Sequence, residues 1–232
     1  MSYQLLQEEV YEANMQLHEQ GLVFQTFGNA SAIDRDKGVF GIKPSGVDYQ
    51  KLSPKDIVIL DLENNRVLGE LRPSSDTKTH AYLYRSWSEI GGIVHTHSTY
   101  ATAWAQTQLP IPILGTTHAD HLVHDIPCAA PMQDEWIAND YETMTGKQIV
   151  ECLSHLGLAY EDVGMILVAN HGPFTWGDTI EKAVYNSSVL EQIAKMAFIT
   201  RSVHPEAPRL KDSLIHKHYD RKHGKNAYYG QE

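Results

Sequence analysis

The chain is poor in cysteine, has no surplus of positive charge and contains no long apolar run, and each shortage removes a class of protein. Its two cysteines, Cys128 and Cys152, form no CxxC pair. That excludes a disulfide framework and a cysteine-built zinc module, and both read as buried small hydrophobes. A formal net charge of −10 argues against a nucleic-acid partner, because neutralising phosphates needs a basic surface. A small anionic substrate stays admissible, since one local cationic pocket can operate inside an acidic protein. No apolar stretch approaches membrane-spanning length, so no membrane partner is expected. A leader pattern is missing too: the first Lys or Arg is Arg35, and Glu8 and Glu9 interrupt any apolar segment. These features predict a soluble, cytoplasmic protein. Repeats, low-complexity tracts and linkers are lacking, and 232 residues suffice for one domain over 1–232 with a substantial core.

What is present alternates between two periods. Leu6, Val10, Ala13 and Leu17 recur at helical spacing before Gly21, which predicts an amphipathic helix over 3–20. Runs at 39–43, 56–60 and 66–68 read as strands, separated by Pro44-Ser45-Gly46 and Asn64-Asn65 turns. Ser75 or Asp76 is placed to cap a helix reaching 86. Further strands are expected at 91–95 and 165–169. Helices are expected at 100–106, 146–156, 179–200 and 210–221, with 115–120 as loop. Strands alternating with helices predict an α/β layered protein, a central sheet flanked by helices.

Three histidines carry the chemistry. His95 and His97 end the apolar run Gly91-Gly92-Ile93-Val94, and His171 follows Met165-Ile166-Leu167-Val168-Ala169-Asn170. Residues i and i+2 of a strand share a face, so the first two imidazoles lie side by side. If the second run ends nearby, His171 completes a triangle. Three neutral imidazoles with a vacant position suit a catalytic divalent metal better than a structural one. The alternative is a polar strand end whose histidines hydrogen-bond locally.

Two segments could hold an anion. Pro73-Ser74-Ser75-Asp76-Thr77 opens a helix, where free N–H groups, the helix dipole and two hydroxyls would suit a phosphate. Taken alone, it reads first as an ordinary Ser/Asp helix cap. Lys43-Pro44-Ser45-Gly46 offers a cation, a hydroxyl and a permissive glycine, or a plain hairpin turn. Phe27-Gly28-Asn29-Ala30-Ser31 carries less signal. Asp120, in Thr116-Thr117-His118-Ala119-Asp120-His121, is either a general acid/base or an Asx-turn residue. The basic, aromatic tail from His216 to Tyr229 is either a frayed end or a functional one.

With these motifs in this order, the chain resembles the L-ribulose-5-phosphate 4-epimerases of the class II aldolase/epimerase superfamily. The likeness rests on Gly28-Asn29, Lys43-Pro44-Ser45-Gly46-Val47-Asp48-Tyr49, Pro73-Ser74-Ser75-Asp76-Thr77, Gly91–Ser98, Gly115–Asp120, His171-Gly172-Pro173-Phe174, and Arg221–Gly224 with Ala227–Gln231. It implies a divalent metal, usually Zn2+ with Mn2+ or Co2+ as options, held by His95, His97 and His171 with Asp76 as a further ligand. It implies a phosphate held by Gly28, Asn29, Ser45, Gly46, Ser74 and Ser75 with Lys43 close by, and Asp120 and Tyr229 as acid/base groups. The implied substrate is a phosphorylated ketopentose, L-ribulose 5-phosphate. The implied reaction breaks its C3–C4 bond and re-adds glycolaldehyde phosphate from the opposite face. A homotetramer with sites between subunits is also implied, the tail from about 222 to 232 serving a neighbour.

Two positions depart from that pattern. His121-Leu122-Val123-His124 stands where the family usually has two aromatics, and Phe27 replaces a tryptophan. The resemblance leaves two rivals. Fuculose- and rhamnulose-phosphate aldolases typically carry a glutamate near the helix start where this chain has Asp76. The adducin head is a non-catalytic relative lacking a working metal site.

Overall fold

The computed structural model describes residues 2–225, 227 and 228. Its helices are α1 (Gln4–Glu19), α2 (Thr77–Ser86), α3 (Thr99–Thr107), α4 (Thr116–Ala119), α5 (Asp134–Asn139), α6 (Tyr141–Leu156), α7 (Tyr160–Val163), α8 (Ile180–Val203) and α9 (Asp212–His223). The strands are β1 (Asn29–Asp34), β2 (Val39–Ile42), β3 (Val58–Asp61), β4 (Arg66–Leu68), β5 (Gly92–His95), β6 (Cys128–Ala129), β7 (Met165–Val168) and β8 (Gly172–Gly177). They form one sheet in the order β4-β3-β2-β1-β5-β8-β7-β6. All neighbours run antiparallel except β6 and β7. The α/β layered expectation holds, with a mixed sheet.

Period-two alternation sends successive residues to opposite faces. Phe40, Ile42, Val58, Leu60, Ile93, Phe174 and Trp176 pack on one side with Leu83 and Tyr84 of α2 and Ile149 and Leu153 of α6. Ala30, Ala32, Ile57, Ile59 and Val94 face the other way, under Leu6, Val10 and Leu17 of α1 and Ile180 and Val184 of α8. Among the described residues no helix is long and apolar enough to cross a membrane.

Several expectations are corrected. β1 and β8 are central strands that the sequence pattern does not announce, because Asn29-Ala30-Ser31-Ala32 lacks bulk and Gly172-Pro173 reads as a turn. The 115–120 segment is not loop: α4 forms one helical turn, closed by Ala119 N–H to Gly115 O and Asp120 N–H to Thr116 O. One turn is too short to show periodicity. Helix α6 starts five residues earlier than expected, with Glu142 in its first turn. Pro44-Ser45-Gly46 is not a hairpin turn, since residues 43–57 run between β2 and β3 through two short 3-10 turns. Cys128 and Cys152 are half-buried free thiols, both shifted upward by burial, Cys128 to about 12.

One buried polar contact fixes the strand nearest the site. Strand β2 ends at Ile42 opposite Ser31, one residue short of Ala30. The Asn14 side chain of α1 takes its place, accepting from Ala30 N–H at 2.9 Å and donating to Ala30 O at 3.1 Å. Asn14 is fully buried. Asn14→Ala should therefore leave both backbone groups unpaired and destabilise the fold by about 2–4 kcal/mol. Urea unfolding measures this, and a loss below about 0.5 kcal/mol would refute the account.

Candidate functional site

Strand register assembles the histidines. In the sheet Asn29 lies opposite His95, and His95 lies opposite Phe174. His97 follows β5 by two residues, and His171 sits in the tight turn between β7 and β8, where Asn170 takes a left-handed φ of 60°. Gly172 is required there, because a Cβ would stand 2.8 Å from Thr96 O. Potential ligand nitrogens of His95, His97 and His171 lie within 4.8 Å of one another. His95 and His97 approach Nε2 to Nε2 at 3.1 Å. The ring of Phe174 stacks on His95 with centroids 4.2 Å apart.

Neighbouring contacts leave the correct nitrogens available. Pro173 O lies 3.0 Å from His95 Nδ1, which places the proton there and frees Nε2 as a lone pair. Tyr141 OH lies 3.3 Å from His171 Nδ1. Burial depresses His97 and pushes His171 down to about 3, so these rings are neutral at physiological pH. A carboxylate holds the backbone beyond His97: Glu191 of α8 accepts from Tyr100 N–H and Ala101 N–H, both at 2.9 Å, capping α3.

Asp76 stands at the N-cap of α2 but caps nothing. Its Oδ2 instead accepts from Asn29 Nδ2 at 2.7 Å, and Ser74 Oγ lies 3.0 Å from the same nitrogen. Burial works to raise this carboxyl, but the nearby histidines and the Asn29 hydrogen bond outweigh it and hold it below the usual aspartate range. The three imidazoles within 4.8 Å of one another fit one divalent cation, and the Asp76 carboxylate lies beside them in the same cleft, outside that close group.

The anion candidates join the same cleft of ≈ 370 Å³. Gly28, Asn29, Lys43, Ser45, Gly46, Ser74, Ser75, Asp76, His95, His97 and His171 all line it. Backbone pairing pins the two loops together: Ser45 N–H donates to Arg72 O, Ser74 N–H donates to Lys43 O, and Pro44 bridges to Pro73. Lys43 is buried, and burial lowers its ammonium to about 8.

Asp120 lies elsewhere. It is absent from the residues lining the cleft and packs against α9. Arg221 donates to both its oxygens at 2.9 Å, His218 Nδ1 lies 2.9 Å from Oδ1, and Lys222 Nζ is 3.8 Å away. Burial would raise Asp120, but His218 and Arg221 hydrogen bonds and the Lys222 charge hold it low. His121 stays on this side, its ring 5.8 Å from that of Tyr185, and His124 O faces His118 Nε2 at 3.1 Å. Tyr229 lies outside the described residues.

Residues 8–198 match the family model described as Class II Aldolase and Adducin N-terminal domain. The chain belongs to that family. Among solved structures, an L-fuculose 1-phosphate aldolase is 26% identical with a TM-score of 0.77, covering 95% of this chain and 97% of that one. YgbL of Escherichia coli, described as a putative aldolase/epimerase/decarboxylase, is 25% identical with a TM-score of 0.72, covering 92% of this chain and 97% of that one. The L-fuculose-1-phosphate aldolase of Thermus thermophilus, at 23% identity and a TM-score of 0.67 over 87% and 97%, shares the fold.

The class II aldolase fold also brings in residues that the sequence does not single out. Tyr141 and Glu142 line the cleft beside Thr26 and Phe27. Their only sequence signal is the acidic first turn of α6 after Asp140. In this class II aldolase domain, His97→Asn should lower bound divalent metal from about one ion per chain toward zero. Elemental analysis decides it, with unchanged circular dichroism as control. Full metal content would remove His97 from the ligand set.

Proposed function

We propose that the chain is a metal-dependent L-ribulose-5-phosphate 4-epimerase, interconverting L-ribulose 5-phosphate and D-xylulose 5-phosphate. The observation that carries this reading is Asp76, a short N-cap carboxylate that leaves its helix uncapped, accepts from Asn29 and lines the same cleft as the three histidines. In this position it serves as a metal ligand with His95, His97 and His171, rather than as the mobile glutamate acid/base expected of an aldolase. The metal, when bound, supplies Lewis-acid stabilisation of negative charge developing on the ketose oxygens.

The chain's own residues do the rest. Lys43, Ser45, Gly46, Ser74, Ser75, Gly28 and Asn29 anchor the phosphate, so the aldehyde fragment stays tethered while its carbonyl turns over. Phe27, with its ring 5.7 Å from that of His97, screens one side of the cleft. Asp120 and Tyr229 move protons at the C4 oxygen, one on each face. Because Asp120 does not line its own chain's cleft, a second copy supplies it together with the tail, in a homotetramer.

The alternative is a class II aldolase that releases its aldehyde, a reading favoured by the likeness to an L-fuculose 1-phosphate aldolase. Incubation of metal-loaded protein with L-ribulose 5-phosphate separates the two. Formation of D-xylulose 5-phosphate without free aldehyde supports the epimerase, and aldehyde without epimer supports the aldolase.

Sharing of the site between copies has its own test. Co-expressed His97→Asn and Asp120→Asn chains, each inactive alone, should regain up to about a quarter of full activity in mixed oligomers. If no activity returns from verified mixed oligomers, the site is contained within one chain.

A further inference from the structure

Lys43 is a buried cation with little to hold it. Lys43 is 1% exposed, yet among the described residues its ammonium reaches only two carbonyls at the long limit of hydrogen bonding, Pro44 O at 3.4 Å and Thr26 O at 3.5 Å. No described carboxylate comes within ion-pairing distance of it, and Asp48 attracts it only from farther away. What does lie against it is an aromatic face: Nζ sits 4.6 Å from the centroid of the Tyr49 ring. His18 of α1 also stacks on that ring, with centroids 5.3 Å apart and planes 3° from parallel.

Tyr49 is itself buried. Its hydroxyl donates its one hydrogen to Gly28 O at 2.9 Å, with Phe27 O at 3.2 Å as a second acceptor in reach. Gly28 holds a φ of +81°, and a Cβ there would meet Val23 at 2.7 Å and His95 O at 3.1 Å, so only glycine fits this turn. One side chain therefore touches both the cation and the glycine turn, and both of these line the cleft.

We propose that Tyr49 is a positioning residue for phosphate recognition, its ring carrying the Lys43 ammonium and its hydroxyl fixing the Phe27–Gly28 backbone so that both meet the same anion. The inference rests on reading this cleft as the phosphate pocket. A desolvated ammonium over an aromatic face keeps its charge without a carboxylate, which would compete with the incoming anion. Tyr49 thus does for Lys43 what an acidic neighbour could not do without repelling the substrate.

The test is a titration of the intact protein with inorganic phosphate, followed by phosphorus NMR, on a series of variants. Lys43→Met should weaken phosphate binding about tenfold or more. Tyr49→Phe keeps the ring and loses the hydroxyl; Tyr49→Leu loses both. The step from Tyr49→Phe to Tyr49→Leu should weaken phosphate about fivefold when Lys43 is present, and less than about twofold in the Lys43→Met background. Equal losses in both backgrounds would mean that the ring is only packing, and no loss in either would give it no part; each overturns the inference while leaving the pocket intact. Failure of the parent protein to bind phosphate through Lys43 would instead remove the pocket reading, and this inference with it. Thermal unfolding of each variant separates loss of binding from loss of fold.

Discussion

The pairing of β5 between β1 and β8 is the constraint on which the site depends. It places Asn29, His95 and Phe174 in one row across three strands. His97 and His171 then follow from the chain ends next to that row, and Asp76 is drawn in because Asn29 donates to it. A slip of one residue in this pairing would send His95 to the opposite face and part it from its neighbours. The buried supports near the row make sense in that light. Asn14 completes the backbone pairing of Ala30, and Glu191 caps the helix immediately after His97. Both are polar groups spent on backbone rather than on ligand, at the two places where the sheet gives way to the site.

Electrostatics divides the cleft into two halves of opposite preference. On one side three clustered imidazoles lie beside the Asp76 carboxylate, which favours a cation. On the other, Lys43 lies buried against Tyr49, beside serine hydroxyls, which favours an anion. A chain of net charge −10 repels anions at long range. Burying the single ammonium away from surface carboxylates answers that problem, because a charge in a poorly solvated site acts more strongly on a ligand than the same charge on the surface. The cost of burying it shows in the depressed Lys43 value of about 8.

Much of the site is legible in the amino-acid sequence, because its motifs are dense in residues with few other uses. His-x-His at a strand end, and serines with a carboxylate at a helix start, point to the site members directly, and the cleft contains every one except Asp120 and the undescribed Tyr229. The fold is harder to read. β1 is built of small residues because α1 and α8 press on it, and β8 opens with Gly172-Pro173 because backbone must pass close to Thr96. Those tertiary demands erase the bulky, alternating pattern by which strands are read. Tyr49 shows the same limit at the site. It is visible as part of a motif, but only the return of the chain beneath Lys43 and Gly28 shows what its ring and hydroxyl touch.

Asp120 raises the last physical question. An acid/base carboxylate works best with its affinity for protons raised toward neutrality. Here Arg221, His218 and Lys222 act in the opposite direction and keep it ionised. Those same contacts dock α9 beside α4, so the carboxylate and the start of the tail travel as one unit. On the epimerase reading, that unit enters the cleft of another copy. There further burial would raise a carboxyl that the His218, Arg221 and Lys222 contacts hold low. Proton-transfer competence would then be a property of the assembled site, gained with the interface and lost with it, while the proposed metal and phosphate ligands all line one chain's cleft.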